Sequence, residues 1–314
     1  MYSLDQLASS KDAAIEWFLT RGEFDDSFLT MGSDGSHIFD PFSEKFPERY
    51  IDVGIAEQNL FGVAAGIART EKTVFVSAIA SFLLRRAYEQ IRIDICNENL
   101  PVKIIGMGAG LSYGDLGSTH HLIEDISLCS GMPNIAIFTP VDATEIGDVL
   151  EEALKWKGPA YIRLGSGLEP VIRGTSRFKF KEPDIIFDEQ DIMILATGIC
   201  VSEAIKAKNT LEKKGLLVGV INISSIEPIN KEQILNLILN KKLVIVVEEH
   251  SVRGGLGSII ADLLSSQKNS CILSLMGIDK RKAPPLGRDK LLDFYNLTSD
   301  HIVEEIIRKK DVIY

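Results

Sequence analysis

The sequence predicts an α/β protein with two doubly wound domains. Short apolar runs typical of strands alternate with longer segments typical of helices, as in βα units on a mainly parallel sheet. One irregular, charged stretch at 166–190 interrupts the alternation and is typical of a linker. We therefore expect a mainly parallel first domain at 1–165 and a smaller α/β domain at 191–314.

The elements follow this alternation from one end to the other. In the first domain we predict helices at 11–21, 57–68, 82–96, 122–130 and 143–156, and strands at 27–33, 50–53, 74–80, 102–107, 135–138 and 160–164. In the second domain we predict strands at 191–196, 216–221, 243–248 and 270–275, and helices at 201–214, 231–239, 258–264, 291–295 and 299–309.

The composition excludes several classes of function. Of 314 residues, 45% are hydrophobic and 25% are charged, as in ordinary soluble proteins. The net charge of −10 argues against nucleic acid or an anionic membrane as the main partner. The four cysteines are scattered without a C-x-x-C pair, and no signal peptide or membrane-spanning run is visible. We therefore expect a cytoplasmic protein.

The stretch from Arg49 to Ala68, RYIDVGIAEQNLFGVAAGIA, places one acid at the start of an otherwise apolar helix. Glu57 follows the turn at Gly54, and the helix dipole alone would favour an acid there. A carboxylate among so many apolar residues is nevertheless costly unless something pairs with it, which favours a functional role. Gly62 and Gly66 lie on one helix face, where another backbone can approach closely.

A second candidate region is the loop Leu111–His121, LSYGDLGSTHH, which follows a predicted strand. Loops at strand ends are where ligands bind in open α/β sheets. His120 and His121 are adjacent there, although a lone histidine is usually structural. Metal binding would need more ligands than the sequence offers nearby. In the second domain, Glu248–Ser258 precedes a helix whose amides could receive an anion, but we favour a structural role.

The motif GIAEQN, preceded by FPERY and followed by glycines, closely resembles the pyrimidine-binding domain of transketolases, and the similarity extends through nearly the whole chain. The resemblance implies that Glu57 hydrogen-bonds N1′ of the aminopyrimidine of thiamine diphosphate. It also implies an aromatic residue that stacks on this ring shortly before R-A-Y-E-Q at 86–90. Phe82 is our candidate, although composition alone favours a core role for it. Ile79 stands where some relatives have a second aromatic residue, and Asp34 is a further cofactor-binding candidate.

The same resemblance assigns substrate contacts to the histidine loop. His120 matches the histidine that contacts the donor and acceptor sugars near the reacting carbon, and His121 stands where relatives usually have glutamine. Leu116 stands where transketolases usually have an aspartate that contacts the C2 hydroxyl of the acceptor, which suggests an unusual acceptor. Asp115 and Arg163 complete the substrate-binding candidates. Arg163 is the candidate phosphate ligand, because serine follows Y-I-R-L-G where many split relatives have a further arginine.

The G-D-G motif that binds Mg²⁺ and the diphosphate in this family is not found in the sequence. We therefore expect no metal ligand in this chain and interpret it as the C-terminal subunit of a split transketolase. An N-terminal partner subunit would carry the diphosphate-binding domain, in a heterotetramer of two copies each. The alternatives are the beta subunit of a 2-oxo acid dehydrogenase, a deoxyxylulose-phosphate synthase relative, or a non-catalytic assembly subunit.

Overall fold

A computed structural model describes residues 4–33, 37–268, 271–279 and 282–313. It contains a seven-stranded, mainly parallel sheet and a five-stranded mixed sheet, both with flanking helices. The predicted fold class, α/β with two sheet-centred parts, is confirmed. None of the helices in the described ranges is long and apolar enough to span a membrane.

The first part of the chain supplies most of the larger sheet. Its elements are β1 (Leu7–Ser9), α1 (Ser10–Gly22), β2 (Phe28–Gly32), α2 (Asp40–Lys45), β3 (Tyr50–Asp52), α3 (Glu57–Ala68), β4 (Thr73–Ile79), α4 (Ala80–Arg86), α5 (Tyr88–Gln90), β5 (Val102–Met107), α6 (Asp125–Ser130), β6 (Ala136–Phe138), α7 (Ile146–Lys155), β7 (Ala160–Leu164) and β8 (Leu168–Pro170). A π-helical segment, Ile91–Cys96, continues α5, and 3₁₀ turns lie at Pro47–Arg49, Gly114–Leu116 and Ala143–Glu145.

The second part supplies the smaller sheet. Its elements are β9 (Asp184–Phe187), β10 (Ile192–Ala196), α8 (Cys200–Glu212), β11 (Gly219–Asn222), β12 (Ser225–Glu227), α9 (Lys231–Ile238), β13 (Leu243–Ser251), α10 (Leu256–Ser265), β14 (Ile272–Ile278), α11 (Arg288–Phe294) and α12 (Ser299–Ile313). The strand order is β14-β13-β10-β11-β9, and only β9 runs antiparallel to its neighbour.

The order of the larger sheet is β12-β6-β7-β5-β4-β2-β3. All neighbours are parallel except β12, which comes from the second part of the chain and pairs antiparallel with β6. The carboxyl ends of the parallel strands β3, β4 and β5 therefore lie along one edge of the sheet. This edge brings together the segments that follow these strands, which include most of the predicted site residues.

Two of the predicted helices differ from those observed in ways that the backbone explains. The helix predicted at 82–96 breaks at Ala87, whose φ of −112° and ψ of 23° depart from the helical region. The helix predicted at 122–130 begins only at Asp125, because the amides of Leu122 and Gly110 each donate to the other's carbonyl at 2.8–2.9 Å. This bridge closes the base of the histidine loop.

The stretch predicted as a linker, 166–190, contains two short strands. Strand β8 pairs with β1, and β9 forms an edge of the smaller sheet. The stretch is therefore partly structured, and the two parts are joined by β12 of the second, which pairs with β6 of the first. The boundaries at 165 and 191 stay a prediction.

Aromatic rings fill one face of the larger sheet. Phe18 on α1 lies edge-on to Phe39 and Phe75, with ring centroids 5.0 and 5.1 Å apart. Phe28 and Phe42 join the same fully buried cluster. Burial of each such side chain is worth about 1.5–3 kcal/mol, so this face holds α1 and α2 on the sheet.

A buried acid, Glu145, lies at the end of the 3₁₀ turn that follows β6 and joins the two parts of the chain. Its Oε2 accepts hydrogen bonds from the Val141 amide at 2.9 Å and the Ser224 hydroxyl at 2.6 Å. Burial raises its pKa to about 7, although these two hydrogen bonds lower it. The side-chain oxygen of Asn222, Oδ1, is buried without a partner among the described residues, while Nδ2 lies 3.3 Å from Glu145 Oε1.

We predict that Glu145→Gln changes how stability depends on pH. Between the unfolded pKa of 4.5 and the folded pKa of about 7, the folded state of the wild type holds a proton that the unfolded state has lost. Stability of the wild type should therefore fall as pH rises through this interval, whereas glutamine has no proton to lose. Urea unfolding should show the variant gaining roughly 2 kcal/mol on the wild type between pH 5 and 7.

The control is Glu152→Gln, because Glu152 is a partly exposed residue of α7 that pairs with Lys155. It should show no such trend. Parallel pH profiles for the wild type and Glu145→Gln would contradict the interpretation of Glu145 as a proton-holding contact between the two parts.

Candidate active site

Glu57 is the first residue of α3 and its side chain is fully inaccessible to solvent. Gly54 makes the turn after β3 with a φ of +68°, a conformation that residues with a side chain rarely adopt. The Ser33 hydroxyl donates to the Gly54 carbonyl at 2.8 Å and fixes this turn against the end of β2. The fold thus aims the acid inward from the carboxyl edge of the sheet.

Arg86, at the end of α4, is the partner of this buried acid. Its Nη1 donates to both oxygens of Glu57, at 2.7 and 2.6 Å. The Arg86 side chain is 48% exposed, so the charge pair has one buried and one solvated member. Sequence reasoning did not give Arg86 this role, although the cost of burying Glu57 indicated that a cation should lie nearby.

Phe82 lies one helical turn before Arg86 and is partly buried. The guanidinium carbon of Arg86 is 5.0 Å from the centroid of the Phe82 ring, which is a cation–π distance. The ring of His120 meets Phe82 edge-on, with centroids 5.1 Å apart. Ile79, the last residue of β4, is also partly buried. Glu57, Arg86, Phe82 and His120 therefore form one continuous group of contacts.

The histidine loop holds its two histidines in different environments. Gly117, with a φ of +80°, allows the loop to turn, and the His120 amide donates to its carbonyl at 2.9 Å. His120 is partly exposed and its Nδ1 lies 3.0 Å from the Thr119 hydroxyl. His121 is 5% exposed, and its Nε2 donates to the Gly114 carbonyl at 2.9 Å. Only His120 faces the group around Phe82.

The same Gly114 carbonyl also accepts a hydrogen bond from the Leu286 amide, at 3.2 Å, so the second part of the chain helps to hold the loop. Leu116 is 52% exposed and Asp115 is exposed beside it. Both predicted substrate-binding residues are therefore accessible at the loop. Asp34, a predicted cofactor-binding residue, lies outside the described residues.

Arg163 lies in a different place from the other predicted substrate-binding residues. It is buried between the two parts of the chain, where Nε donates to Asp125 at 2.8 Å and Nη2 to the Glu249 carbonyl at 2.8 Å. Burial lowers the pKa of its guanidinium, but the charges of Asp125 and Glu249 outweigh this and raise the pKa above its ordinary value. Arg288 also contacts Glu249, at 2.6 and 2.8 Å, and Glu169. None of the hydrogen bonds and ion pairs of Arg163 within the described ranges reaches the group around Glu57.

The anion site considered at the start of α10 is filled by the chain's own Glu248. Its two oxygens accept hydrogen bonds from the amides of Leu256 and Gly257, each at 2.8 Å. Burial raises the pKa of Glu248, and these two hydrogen bonds act against that shift. The arrangement supports the structural role favoured for this segment.

The described residues contain no group of three or more His, Cys, Asp or Glu side chains that could hold a metal ion. A cavity of about 690 Å³ near the start of β2 contains none of the predicted site residues.

One face of α3 is exposed around its two glycines. At both Gly62 and Gly66 an added Cβ would meet no described atom within 4 Å, and Ile55, two residues before α3, is 73% exposed.

Comparison with known proteins agrees with this architecture. Residues 11–170 match the model of the transketolase pyrimidine-binding domain, and residues 184–302 match that of the transketolase C-terminal domain. These matches define a protein with a pyrimidine-binding domain followed by a C-terminal domain. The chain belongs to the transketolase family.

Similar proteins include subunits of two-chain transketolases. The chain is 38% identical over 266 residues to one subunit of the apulose-4-phosphate transketolase of Actinobacillus succinogenes, and the match covers 84% of this chain and 86% of that protein. It is 30% identical over 303 residues to the 6-deoxy-6-sulfo-D-fructose transketolase subunit SqwH of a Clostridium species, covering 95% and 92%. A solved structure described as a split gene transketolase, inactive beta4 tetramer, matches with a TM-score of 0.85 and 33% identity over 96% of this chain and 97% of that one.

We predict that Arg163→Met strongly destabilises the protein. Removal of the guanidinium leaves Asp125 and Glu249 buried without this cation, which typically costs about 3–5 kcal/mol. Urea unfolding of the isolated chain measures the loss. The control Arg69→Met breaks an exposed pair with Glu98 and should cost at most about 1 kcal/mol. A loss for Arg163→Met as small as that of the control would contradict a structural role and return Arg163 to the substrate-binding candidates.

Proposed function

We propose that the chain is the C-terminal subunit of a thiamine-diphosphate-dependent transketolase, which transfers a two-carbon ketol unit from a ketose to an aldehyde sugar. One observation carries the proposal: a fully buried acid, Glu57, lies in one group of contacts with an aromatic ring, Phe82, and an accessible histidine, His120. In the family, an acid and an aromatic ring contact the pyrimidine of the cofactor, and a histidine contacts the sugar.

The names of similar proteins support the two-chain organisation. Two of them are named as subunits of transketolases, and a third is a split gene transketolase described as an inactive beta4 tetramer. By analogy, we propose that this chain becomes active only with an N-terminal partner subunit. We propose a heterotetramer of two copies each, in which the open face of α3 around Gly62 and Gly66 takes part in assembly.

The residues of this chain fit the pyrimidine half of thiamine diphosphate. Glu57 offers a buried carboxylate for a ring nitrogen, Phe82 offers a face for stacking, and Ile79 lies at the end of the adjoining strand. The hydroxyl of Ser81, next to Phe82 in the chain, is buried without a partner among the described residues. No group of metal-ligating side chains is found among the described residues, and we propose that the ligands of Mg²⁺ and the diphosphate lie on the partner subunit.

The chemistry divides between the cofactor and the protein. When bound, thiamine diphosphate supplies the stabilisation of a carbanion at the carbonyl carbon of the sugar. Glu57 would hold a proton at the ring nitrogen of the aminopyrimidine and thereby control its tautomer. His120, whose Nδ1 is oriented by Thr119, would use Nε2 to exchange a proton with the oxygen of the reacting carbon. A cytoplasmic location is part of the proposal, supported by four cysteines that form no disulfide within the described residues.

We predict that Glu57→Gln in the reconstituted two-chain complex lowers turnover by about a hundredfold to ten-thousandfold, because glutamine cannot exchange the required proton. Steady-state kinetics with a ketose donor and an aldose acceptor measure this loss. His120→Ala should also lower turnover but change cofactor affinity less, because it faces the sugar. The exposed Glu48 provides the control, Glu48→Gln, which should keep wild-type activity.

Two results would contradict this assignment. Turnover close to that of the wild type in Glu57→Gln would remove Glu57 from the chemistry. Equal losses of cofactor affinity and turnover in His120→Ala would make His120 a structural residue of the cofactor pocket. Calorimetry tests the need for a partner, because micromolar binding of thiamine diphosphate by the isolated chain would contradict it.

The acceptor is proposed to lack an ordinary C2 hydroxyl, as in a deoxy, keto or nucleotide-linked sugar. Leu116 is accessible at the loop but cannot accept a hydrogen bond, and an unpaired hydroxyl against it would cost about 1–3 kcal/mol. Leu116→Asp should restore an acceptor group at this position. We predict that it raises kcat/KM for ribose 5-phosphate relative to its 2-deoxy analogue by about tenfold.

Ser118→Asp is the matched control, because it adds the same charge to an exposed position of the same loop. It should leave the ratio of the two kcat/KM values unchanged. A wild-type complex for which ribose 5-phosphate is clearly the best acceptor would contradict the proposal and make Leu116 a tolerated variation.

A further inference from the structure

We propose that Arg86 and the aminopyrimidine of the cofactor compete for the same carboxylate and the same ring face, so that Arg86 must leave Glu57 before the cofactor can bind. The inference rests on the proposed function and concerns a residue to which that function assigns no role. It follows from the position of the guanidinium between Glu57 and Phe82.

The first argument is geometric. Arg86 donates from Nη1 to both oxygens of Glu57, at 2.7 and 2.6 Å, and no other described residue donates to these oxygens. Its guanidinium carbon lies 5.0 Å from the Phe82 centroid. A planar, nitrogen-rich group that bonds Glu57 and lies over Phe82 satisfies the same two contacts that we assign to the aminopyrimidine. A carboxylate can accept more than two hydrogen bonds, so the conflict is one of space: both groups would occupy the position between Glu57 and Phe82.

The second argument concerns the cost of moving each partner. The Glu57 side chain is fully buried and cannot turn away without disturbing the start of α3. The Arg86 side chain is 48% exposed, lies at the end of α4 and makes no other described hydrogen bond. Solvent can therefore hydrate the guanidinium when it leaves, so Arg86 is the movable member of the pair.

The neighbouring arginine, Arg85, has other partners, so pairing with Glu57 is specific to Arg86. Arg85 donates from Nε to Glu124 at 2.5 Å and from Nη2 to the His121 carbonyl at 2.8 Å. These contacts hold α4 to the histidine loop. Arg86 instead satisfies a buried acid, which would otherwise remain an unpaired charge. The contact between Arg86 and Glu57 therefore stabilises the isolated chain but opposes binding of the cofactor.

The test compares thiamine diphosphate binding to wild-type and Arg86→Met complexes with the partner subunit and Mg²⁺, by calorimetry. The apparent Kd scales inversely with the fraction of sites in which Glu57 is not paired with Arg86. If the pair forms in about nine-tenths of the molecules, its removal should lower the apparent Kd about tenfold. A purely structural Arg86 would leave the Kd unchanged or raise it, and either result would overturn the inference.

Two further variants keep the test decisive. Arg69→Met removes an arginine of similar exposure, paired with the exposed Glu98 beyond the end of α3, and should leave the Kd unchanged. If Arg86→Met does not fold, Arg86→Lys serves instead, because lysine keeps a cation near Glu57 but has no planar group. It should lower the Kd by a smaller factor, and an unchanged or higher Kd would overturn the inference.

Thermal unfolding of the isolated chain tests the pair without any cofactor. Arg86→Met should lower the melting temperature, and adding Glu57→Gln should recover part of this loss because the buried charge is then removed. Absence of this coupling would overturn the inference. If the coupling is present and the wild-type complex still binds no thiamine diphosphate, the proposed function fails. If the wild type binds and Arg86→Met does not bind more tightly, only the inference fails.

Discussion

Burial of the Glu57 carboxylate is the constraint on which the candidate site depends. The turn at Gly54 and the start of α3 place the acid where no solvent reaches it, so it requires a hydrogen-bond donor from the protein or from a ligand. Arg86 provides that donor from α4, the helix that follows β4, two strands away from β3 in the sheet. The acid is fully buried while its partner is 48% exposed, and this difference is the basis of the proposed exchange of Arg86 for a cofactor.

The histidine loop shows how the two parts of the chain cooperate at the same edge of the sheet. The Gly114 carbonyl accepts hydrogen bonds both from His121 of the loop and from the amide of Leu286 in the second part. These bonds hold the loop at Gly114 while Leu116 remains accessible. The second of two adjacent histidines thus stabilises the backbone, and the first is left to face Phe82. The C-terminal part therefore supports the site without supplying any of the four side chains that form it.

Charge pairing also explains how the two parts hold together. Arg163 binds the buried acids Asp125 and Glu249 at the contact between them, Arg288 also binds Glu249, and Glu145 joins Val141 to Ser224. Buried charges are costly unless every partner is present, so this contact depends on one relative position of the two parts. The Arg163 guanidinium donates to groups of both parts, and its sequence context could not reveal these distant partners.

The alternation of apolar runs was sufficient to establish the α/β class and most element boundaries. Strands at 102–107 and 160–164 were predicted to the residue, because buried parallel strands are continuous apolar segments. The position of Glu57 at the start of its helix also followed from local pattern. Local pattern could not reveal the pairing of Glu57 with Arg86, which lies 29 residues away. It also could not reveal the burial of Arg163 against Glu249, 86 residues away, or the addition of β12 to the larger sheet. Those features depend on which distant residues the folded chain brings into contact. Two side chains of the same type and spacing give the same sequence pattern whether or not they are in contact in the fold.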